Sequence, residues 1–202
     1  TPAGNAGTVS LIAVGDIDLP TSLIEAKGSD DVSAPGAGGS VNLQAGGFIN
    51  VATVDVRGGN AIGGGAVDVS GGNGGSIILT GGSINFVGAA ALKAAAGASN
   101  DTAQAGTPTP PTNGSVQLTA GAGGILQSGA LTVDTPQFTF NSAGNVTLVN
   151  AGNSFSGIAG TVTGGNLALA DFTNLDTGTL SASGHINVSV NTANGVLTLG
   201  GI

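Results

Sequence analysis

Apolar and polar residues alternate along this chain in short bursts, each introduced by glycine and a small or polar residue. Four bursts share one form: Gly7-Thr8-Val9-Ser10-Leu11, Gly39-Ser40-Val41-Asn42-Leu43, Gly75-Ser76-Ile77-Ile78-Leu79 and Gly114-Ser115-Val116-Gln117-Leu118. Three more follow at Gly144-Asn145-Val146-Thr147-Leu148, Gly165-Asn166-Leu167-Ala168-Leu169 and Gly184-His185-Ile186-Asn187-Val188. From copy to copy the step is 32, 36, 39, 30, 21 and 19 residues. A period of two sends alternate side chains to opposite faces, so each burst predicts a strand with one buried face.

The early repeats each hold two further strands. Ile17 and Leu19, Ile49 and Val51, and Ile84 and Phe86 mark the second. The third is marked by Ile24-Glu25-Ala26-Lys27-Gly28, Val54-Asp55-Val56-Arg57-Gly58 and Leu92-Lys93-Ala94. Leu131-Thr132-Val133 continues it in the fourth repeat, behind a ragged second strand at Ile125-Leu126-Gln127. Strand and corner, three times over, make one coil of a three-faced solenoid, which needs ~20 residues. The expected fold is therefore all-β: a three-faced parallel β-helix, one domain over residues 1–202. Stacked coils place like on like. The first apolar residue of all seven copies, Val9 to Ile186, is expected to form one interior column, and the second, Leu11 to Val188, the next. Glycine and asparagine at the corners are expected to supply positive φ. Only Gly88–Ala96 has helical propensity, and its place in the repeat makes it a strand.

The longer steps have one origin. Insertions at 28–38, 58–74 and 97–113 all fall between a third strand and the next first strand, at one corner. They carry Asp30-Asp31, Pro35, Gly63-Gly64-Gly65 and Thr107-Pro108-Thr109-Pro110-Pro111. Solenoid insertions stacked on one edge often bind something, or the corner simply tolerates length at low entropic cost. The three share no sequence, which favours tolerance. Val67-Asp68-Val69-Ser70-Gly71-Gly72 echoes Val54-Asp55-Val56-Arg57-Gly58-Gly59, so the second insertion holds an extra strand or supplies the true third one.

Composition removes whole classes of function. The 202 residues include 39 Gly and no Cys, Met, Trp or Tyr; the six aromatic residues are all Phe. Leu, Ile, Val and Phe number 52, too apolar a chain for disorder. Three basic residues oppose eleven acidic ones, for a net charge of −8. Lys27, Arg57 and Lys93 are too few to neutralise nucleic-acid phosphates or hold an anionic membrane surface. No apolar run approaches the ~18 residues of a membrane-spanning helix. Without Trp or Tyr there are no broad amphipathic rings for sugars, and without Cys no disulfides or thiolate metal sites. No secretion signal opens the chain, which begins without Met, so a mature, excised or fragmentary chain is expected.

The few charges align. Glu25, Asp55 and Lys93 take one outward position of strand three, and Lys27 and Arg57 the next. A structural ladder of cross-rung pairs is expected, each contributing a few tenths of a kcal/mol. Gly71–Leu79 fits the calcium repeat GGxGxDxUx except at the decisive place, where Ser76 stands for Asp. Asp16, Asp18, Asp30 and Asp31 remain as candidates for a loosely held cation. His185 takes a position that is Thr, Ser or Asn elsewhere, a corner or outward place and not that of a catalytic base. A polysaccharide-acting enzyme on this scaffold would draw on Asp55, Asp68 and Arg57, an acid and cation set that the ladder already explains. Thr161-Val162-Thr163 and Thr177-Gly178-Thr179 fall at different offsets, so no flat threonine array is expected. No catalytic, cofactor-binding or metal residue is assigned.

Gly39-Ser40-Val41-Asn42-Leu43-Gln44-Ala45-Gly46-Gly47, Val67-Asp68-Val69-Ser70-Gly71-Gly72 and Gly144–Asn153 resemble the shafts of filamentous-haemagglutinin-like proteins. The resemblance covers nearly the whole chain. It implies a right-handed β-helical fibre of a bacterial exoprotein or adhesin exported by two-partner secretion, and it carries no catalytic residues or cofactor. The Asn-Pro-Asn motifs of that family's secretion domain are missing here, so the likeness is to shaft and not to export signal. The expected function is structural: a segment of an extracellular bacterial fibre or adhesin at the cell surface. Its expected partners are a host or neighbouring-cell surface and further rungs. The pattern breaks off at both ends without polar caps, finally at Leu199-Gly200-Gly201-Ile202, so continuation in a longer chain or end-to-end stacking into a filament is expected.

Overall fold

Alternation needs neighbours to bury its apolar side, and here the strands pair with their counterparts in the adjacent repeats. The computed structural model describes residues 4–62, 68–100, 110–192 and 195–201. The first strands are β1 (Thr8–Ala13), β2 (Ile17–Glu25), β3 (Ser40–Ala45), β4 (Phe48–Asp55) and β5 (Ser76–Lys93). Then come β6 (Ser115–Gln127), β7 (Leu131–Val133), β8 (Gln137–Ser142), β9 (Val146–Leu148) and β10 (Ser154–Phe155). Last are β11 (Ile158–Val162), β12 (Leu167–Asp171), β13 (Leu175–Ala182), β14 (Ile186–Val190) and β15 (Leu197–Gly201). The 15 strands join one sheet, every pair of them parallel, and no helix occurs among the described residues. Gly88–Lys93 is strand, the end of β5, as its place in the repeat requires.

Three tracks of paired strands run through the molecule. The first is β1-β3-β5-β6-β8-β11-β13-β15. The second joins the start of β2 to β4, the middle of β5 and the end of β6, then β9, β12 and β14. The third joins the ends of β2, β4 and β5 to β7 and β10. A parallel pair needs a long return connection, and here the other two tracks supply it. Registers run like on like: Val9, Val41, Ile77 and Val116 in the first track, and Val54, Leu92, Val133 and Phe155 in the third. Apart from Val9, these side chains are at most 1% exposed. Burying each aliphatic contributes roughly 1.5–3 kcal/mol.

Both expected columns are corrected. The seven Gly-led bursts do not stack as a single series. Val116 lies under Phe138, while Val146 lies on Ile125 of the second track, followed by Leu167 and Ile186. The chain returns to the first track 22 residues after Val116, at Gln137-Phe138-Thr139-Phe140. That strand lacks the Gly-small lead, and its rings hide it among aliphatic copies. Phe138 and Phe140 are buried, and the Phe138 and Phe155 rings meet at 5.9 Å with a 46° tilt.

The glycines also act otherwise than expected. Among those described only Gly88 (φ 66°) and Gly124 (φ 78°) have positive φ. Most of the others allow backbones to touch: a Cβ at Gly28, Gly59, Gly72, Gly97 or Gly114 would fall inside the carbonyl oxygen of a neighbouring repeat or limb. These contacts build the insertion corner into two ordered layers. In one, the Gly28 N–H donates to Arg57 O and the Gly58 N–H to Ala95 O; in the other, the Gly38 N–H donates to Asn73 O and the Gly74 N–H to Thr112 O. A zigzag joins them, from the Gly97 N–H to Gly72 O, the Gly72 N–H to Gly59 O and the Gly59 N–H to Gly36 O, all at 2.8–2.9 Å. The described parts of the insertions thus satisfy their peptide groups with one another. Val54 and Asp55 are the true third strand of their repeat, paired on both sides, while Val69 makes an isolated antiparallel bridge with Asn100. Gly63–Gly65, Val67, Thr107–Thr109 and Ile202 lie outside the described residues.

Two substitutions test this packing by urea unfolding. Gly97→Ala is expected to cost about 2 kcal/mol or more through overpacking, against less than about 0.5 kcal/mol for Gly15→Ala, where nothing lies within 4 Å of the new methyl group. Phe138→Ala is expected to cost about 3–5 kcal/mol as a core ring; a loss below about 1 kcal/mol would remove Phe138 from the interior column.

Candidate functional site

Six of the 14 charged residues, all three basic ones among them, lie on the third track or just after its strands. The register of that track stacks Glu25 on Asp55 and Asp55 on Lys93, as the repeat alignment requires. Val133 pairs with Leu92, which brings Asp134 next in the row. Sequence reading passed over Asp134, although it directly follows the third strand Leu131-Thr132-Val133 and so takes the outward position of Glu25, Asp55 and Lys93.

Among the described residues the ion pairs within 4 Å form inside a repeat, while the cross-rung row acts at longer range, as Lys93 does on Asp55. Arg57 Nε lies 3.0 and 3.2 Å from the two Asp55 carboxylate oxygens, and Arg57 Nη2 lies 2.6 Å from Oδ2. The Arg57 backbone N–H donates to Asp55 Oδ1 as well. Residues two apart on a strand share a side, and the guanidinium fork matches a carboxylate, so the near partner wins. Lys27 likewise reaches its own repeat's Asp30, at 3.6 Å. With Arg57 over it, Asp55 is only 5% exposed despite its outward position. Burial pushes the Asp55 carboxyl up, but the Arg57 hydrogen bonds and the charges of Arg57 and Lys93 outweigh it, leaving the group below its ordinary value. Asp134 goes the other way. Burial raises it, and the bonds to its Oδ1 from the Ala94 and Ala95 N–H groups (2.7 and 3.0 Å) do not offset the rise. Asp55 therefore binds Arg57 and Asp134 binds backbone. Asp68, the third residue an enzyme would draw on, lies in the second insertion, outside the tracks.

The cation candidates each accept bonds from the chain itself. Asp16 Oδ1 takes the Phe48 N–H at 2.9 Å. Asp18 Oδ1 takes Asn50 Nδ2, and Asn50 Oδ1 takes Asn85 Nδ2, an amide ladder up the second track with both bonds at 2.9 Å. Asp30 Oδ1 receives the Asn60 N–H at 2.6 Å, which lowers its pKa together with Lys27. Asp31 closes a turn by accepting from the Ser33 N–H, the Ala34 N–H and the Ser33 hydroxyl, and these bonds lower its pKa too. Among the described residues no three of His, Cys, Asp and Glu converge as metal ligands. Ser76, at the broken calcium motif, stacks between Ser40 and Ser115. His185 is exposed at a corner, its N–H donating to Asn166 Oδ1 just as the Asn166 N–H donates to Asn145 Oδ1.

Buried polar residues also escaped the sequence reading, Asn153 and Asp171 among them. Both are 0% exposed. Asn153 accepts the Leu131 N–H and donates to Leu148 O and Ala170 O; Asp171 accepts the Phe155 and Thr173 N–H groups. They stand where the third track runs out of strand and satisfy the peptides that pairing leaves open.

Residues 94–162 match the model of a family described as repeats of unknown function (DUF5649). No curated protein and no solved structure matches the chain. The matched stretch is about a third of the chain. It begins at Ala94, whose N–H binds Asp134, spans the shortened return to Phe138 and ends with β11. Among the described residues no helix is long and apolar enough to cross a membrane.

The two carboxylates should respond to acid with opposite signs. Asp55, held below its ordinary 3.8, stabilises the fold above that value and loses its contribution as pH falls through its folded pKa. Arg57→Ala is accordingly expected to cost about 2 kcal/mol at pH 7, with the cost shrinking in strong acid. Asp134, held above 3.8, favours the fold below that value and loses this as pH rises through its folded pKa. Asp134→Asn, which keeps an acceptor for Ala94 and Ala95, should raise stability at pH 7 and give no gain below pH 3.8. Urea midpoints across pH measure both.

Proposed function

We propose that the chain winds as a right-handed, three-faced parallel β-helix and serves as a structural segment of an extracellular bacterial fibre or adhesin shaft. The observation that carries this reading is the stacking of like on like from repeat to repeat, with aliphatic columns inside and Asp16, Asp18, Asp30, Asp31, Asp55, Asp134 and Asp171 bound to the chain's own groups. Such a body offers length and stiffness, not a reaction centre. Eight strands in the first track, about 4.8 Å apart, give a rod of roughly 35 Å.

The resemblance to filamentous-haemagglutinin-like shafts supports the surface location. Further support for continuation comes from the outermost strands: Leu11 is 41% exposed in β1, and Leu197 and Leu199 are 37% and 47% exposed in β15. Their inward-type positions fit either more rungs of a longer chain or another copy stacked end to end.

Negative-stain electron microscopy with size exclusion tests the assembly. Rods several times the length of one chain, growing with protein concentration, are the expected result for stacking. A monodisperse monomer at every concentration rejects stacking, and cell fractionation that finds the parent protein only in the cytoplasm rejects the fibre altogether.

A further inference from the structure

The three insertions close at their bases by repeating backbone bonds. Where the third strands end, the Ala26 N–H donates to Asp55 O and the Val56 N–H to Lys93 O, one repeat on. Where the first-track strands begin, the Ser40, Ser76 and Ser115 N–H groups donate to Gly7 O, Gly39 O and Gly75 O, one repeat back. Within each repeat a further bond joins the outgoing and returning limbs. The Gly39 N–H donates to Ala26 O, the Gly75 N–H to Val56 O and the Gly114 N–H to Ala94 O, all at 2.7–2.8 Å.

The fourth repeat has no insertion: only Asp134, Thr135 and Pro136 stand between β7 and β8. By register Asp134 follows Val133 as Lys93 follows Leu92, and Pro136 precedes Gln137 as Gly114 precedes Ser115. Repetition alone would send the Ala94 N–H to Asp134 O and the Gln137 N–H to Gly114 O. Side chains take both places instead. Asp134 Oδ1 accepts the Ala94 and Ala95 N–H groups at 2.7 and 3.0 Å. Thr135 Oγ1 accepts the Gln137 N–H at 3.3 Å and donates to Gly114 O, so one hydroxyl is spliced into the ladder. Thr135 is 0% exposed. Pro136 stands where the limb-joining N–H would be, and proline has none to leave unpaired.

The next peptides of the third outgoing limb are held from within the insertion layers. The Ala96 N–H donates to Asn113 Oδ1, the Gly97 N–H to Gly72 O and the Ala98 N–H to Asn60 Oδ1. Ala94 and Ala95 differ, because their acceptor comes from the following repeat and a single oxygen serves both. Left open, these groups and Gly114 O would be the bare end of a ladder, unsatisfied and available to another chain.

We propose that Asp134 and Thr135 form a two-point latch that ends the insertion stack and holds the base of the third insertion closed. Asp134 clamps the outgoing limb and Thr135 the returning one, whether or not the chain belongs to a fibre. Opening the latch frees Ala94, Ala95 and Gly114 while β5 and β6 stay paired in their tracks.

Native-state hydrogen exchange of the full chain, followed amide by amide by NMR, tests it. In Asp134→Ala the Ala94 and Ala95 amides should exchange about tenfold faster or more, as the loss of a hydrogen bond to a charged group requires. Asp134→Asn, which keeps an acceptor, should restore most of the protection. In Thr135→Val the Gln137 amide should quicken, and in Thr135→Ser it should not. Leu79, in the middle of β5, should keep its rate in all four variants. Unchanged exchange of Ala94 and Ala95 in Asp134→Ala, or equal acceleration by Asp134→Asn, overturns the latch. So does acceleration of Leu79 as large as that of Ala94, since Asp134 would then support the whole coil. Should Asp134→Ala not fold, the Thr135 variants decide alone: Gln137 must quicken with valine and keep its rate with serine, and any other result rejects the latch.

Discussion

Everything in this molecule depends on the backbone pairing that sets each residue beside its counterpart one repeat away. A parallel in-register ladder is unforgiving, because whatever stands at a position must tolerate a similar group about 4.8 Å off. Aliphatic side chains gain from that arrangement by packing into columns. Glycine gains differently: where strands turn and insertions fold back, the missing Cβ lets carbonyls and N–H groups of adjacent repeats meet. The large share of glycine is thus chiefly a matter of close approach, with positive φ needed at few places.

The same constraint accounts for the scarcity of charge. Like charges repeated at this spacing repel by about 1 kcal/mol per pair even in water, so outward positions favour Ser, Thr, Asn and Gln, which can bond to their own kind. Where charge does occur, the row changes sign or finds a local partner. Glu25, Asp55, Lys93 and Asp134 stand in one row, with Arg57 clamped on Asp55 and backbone N–H groups on Asp134.

Much of the fold was legible because its signal is local and repeated. Val9, Val41, Ile77 and Val116 announce their column by identical surroundings in four bursts, and the Glu25–Asp55–Lys93 row follows by counting along the third strand. Phe138 did not announce itself, since its strand has neither the glycine lead nor an aliphatic pair. Without it, the Gly-led bursts from Val146 onward look like the next members of the first column. Counting alone also could not predict that Arg57 would fold back on Asp55 and not reach across a rung. Asn153 and Asp171 look like ordinary loop residues; only the ends of neighbouring strands reveal the open peptides they satisfy.

By itself, then, the sequence determined that the chain is all-β, repetitive, helix-poor and stacked like on like, since a period of two and a returning motif admit few other arrangements. Which burst sits above which was decided only in three dimensions. Register is set where the return length changes from 39 residues to 22, and a chain with shifting repeat length carries no mark of that change except the packing itself. The insertions make the same point. Their sequences share nothing, yet their backbones interlock in two layers, because hydrogen bonding between glycine-rich limbs depends on closeness and not on side-chain identity.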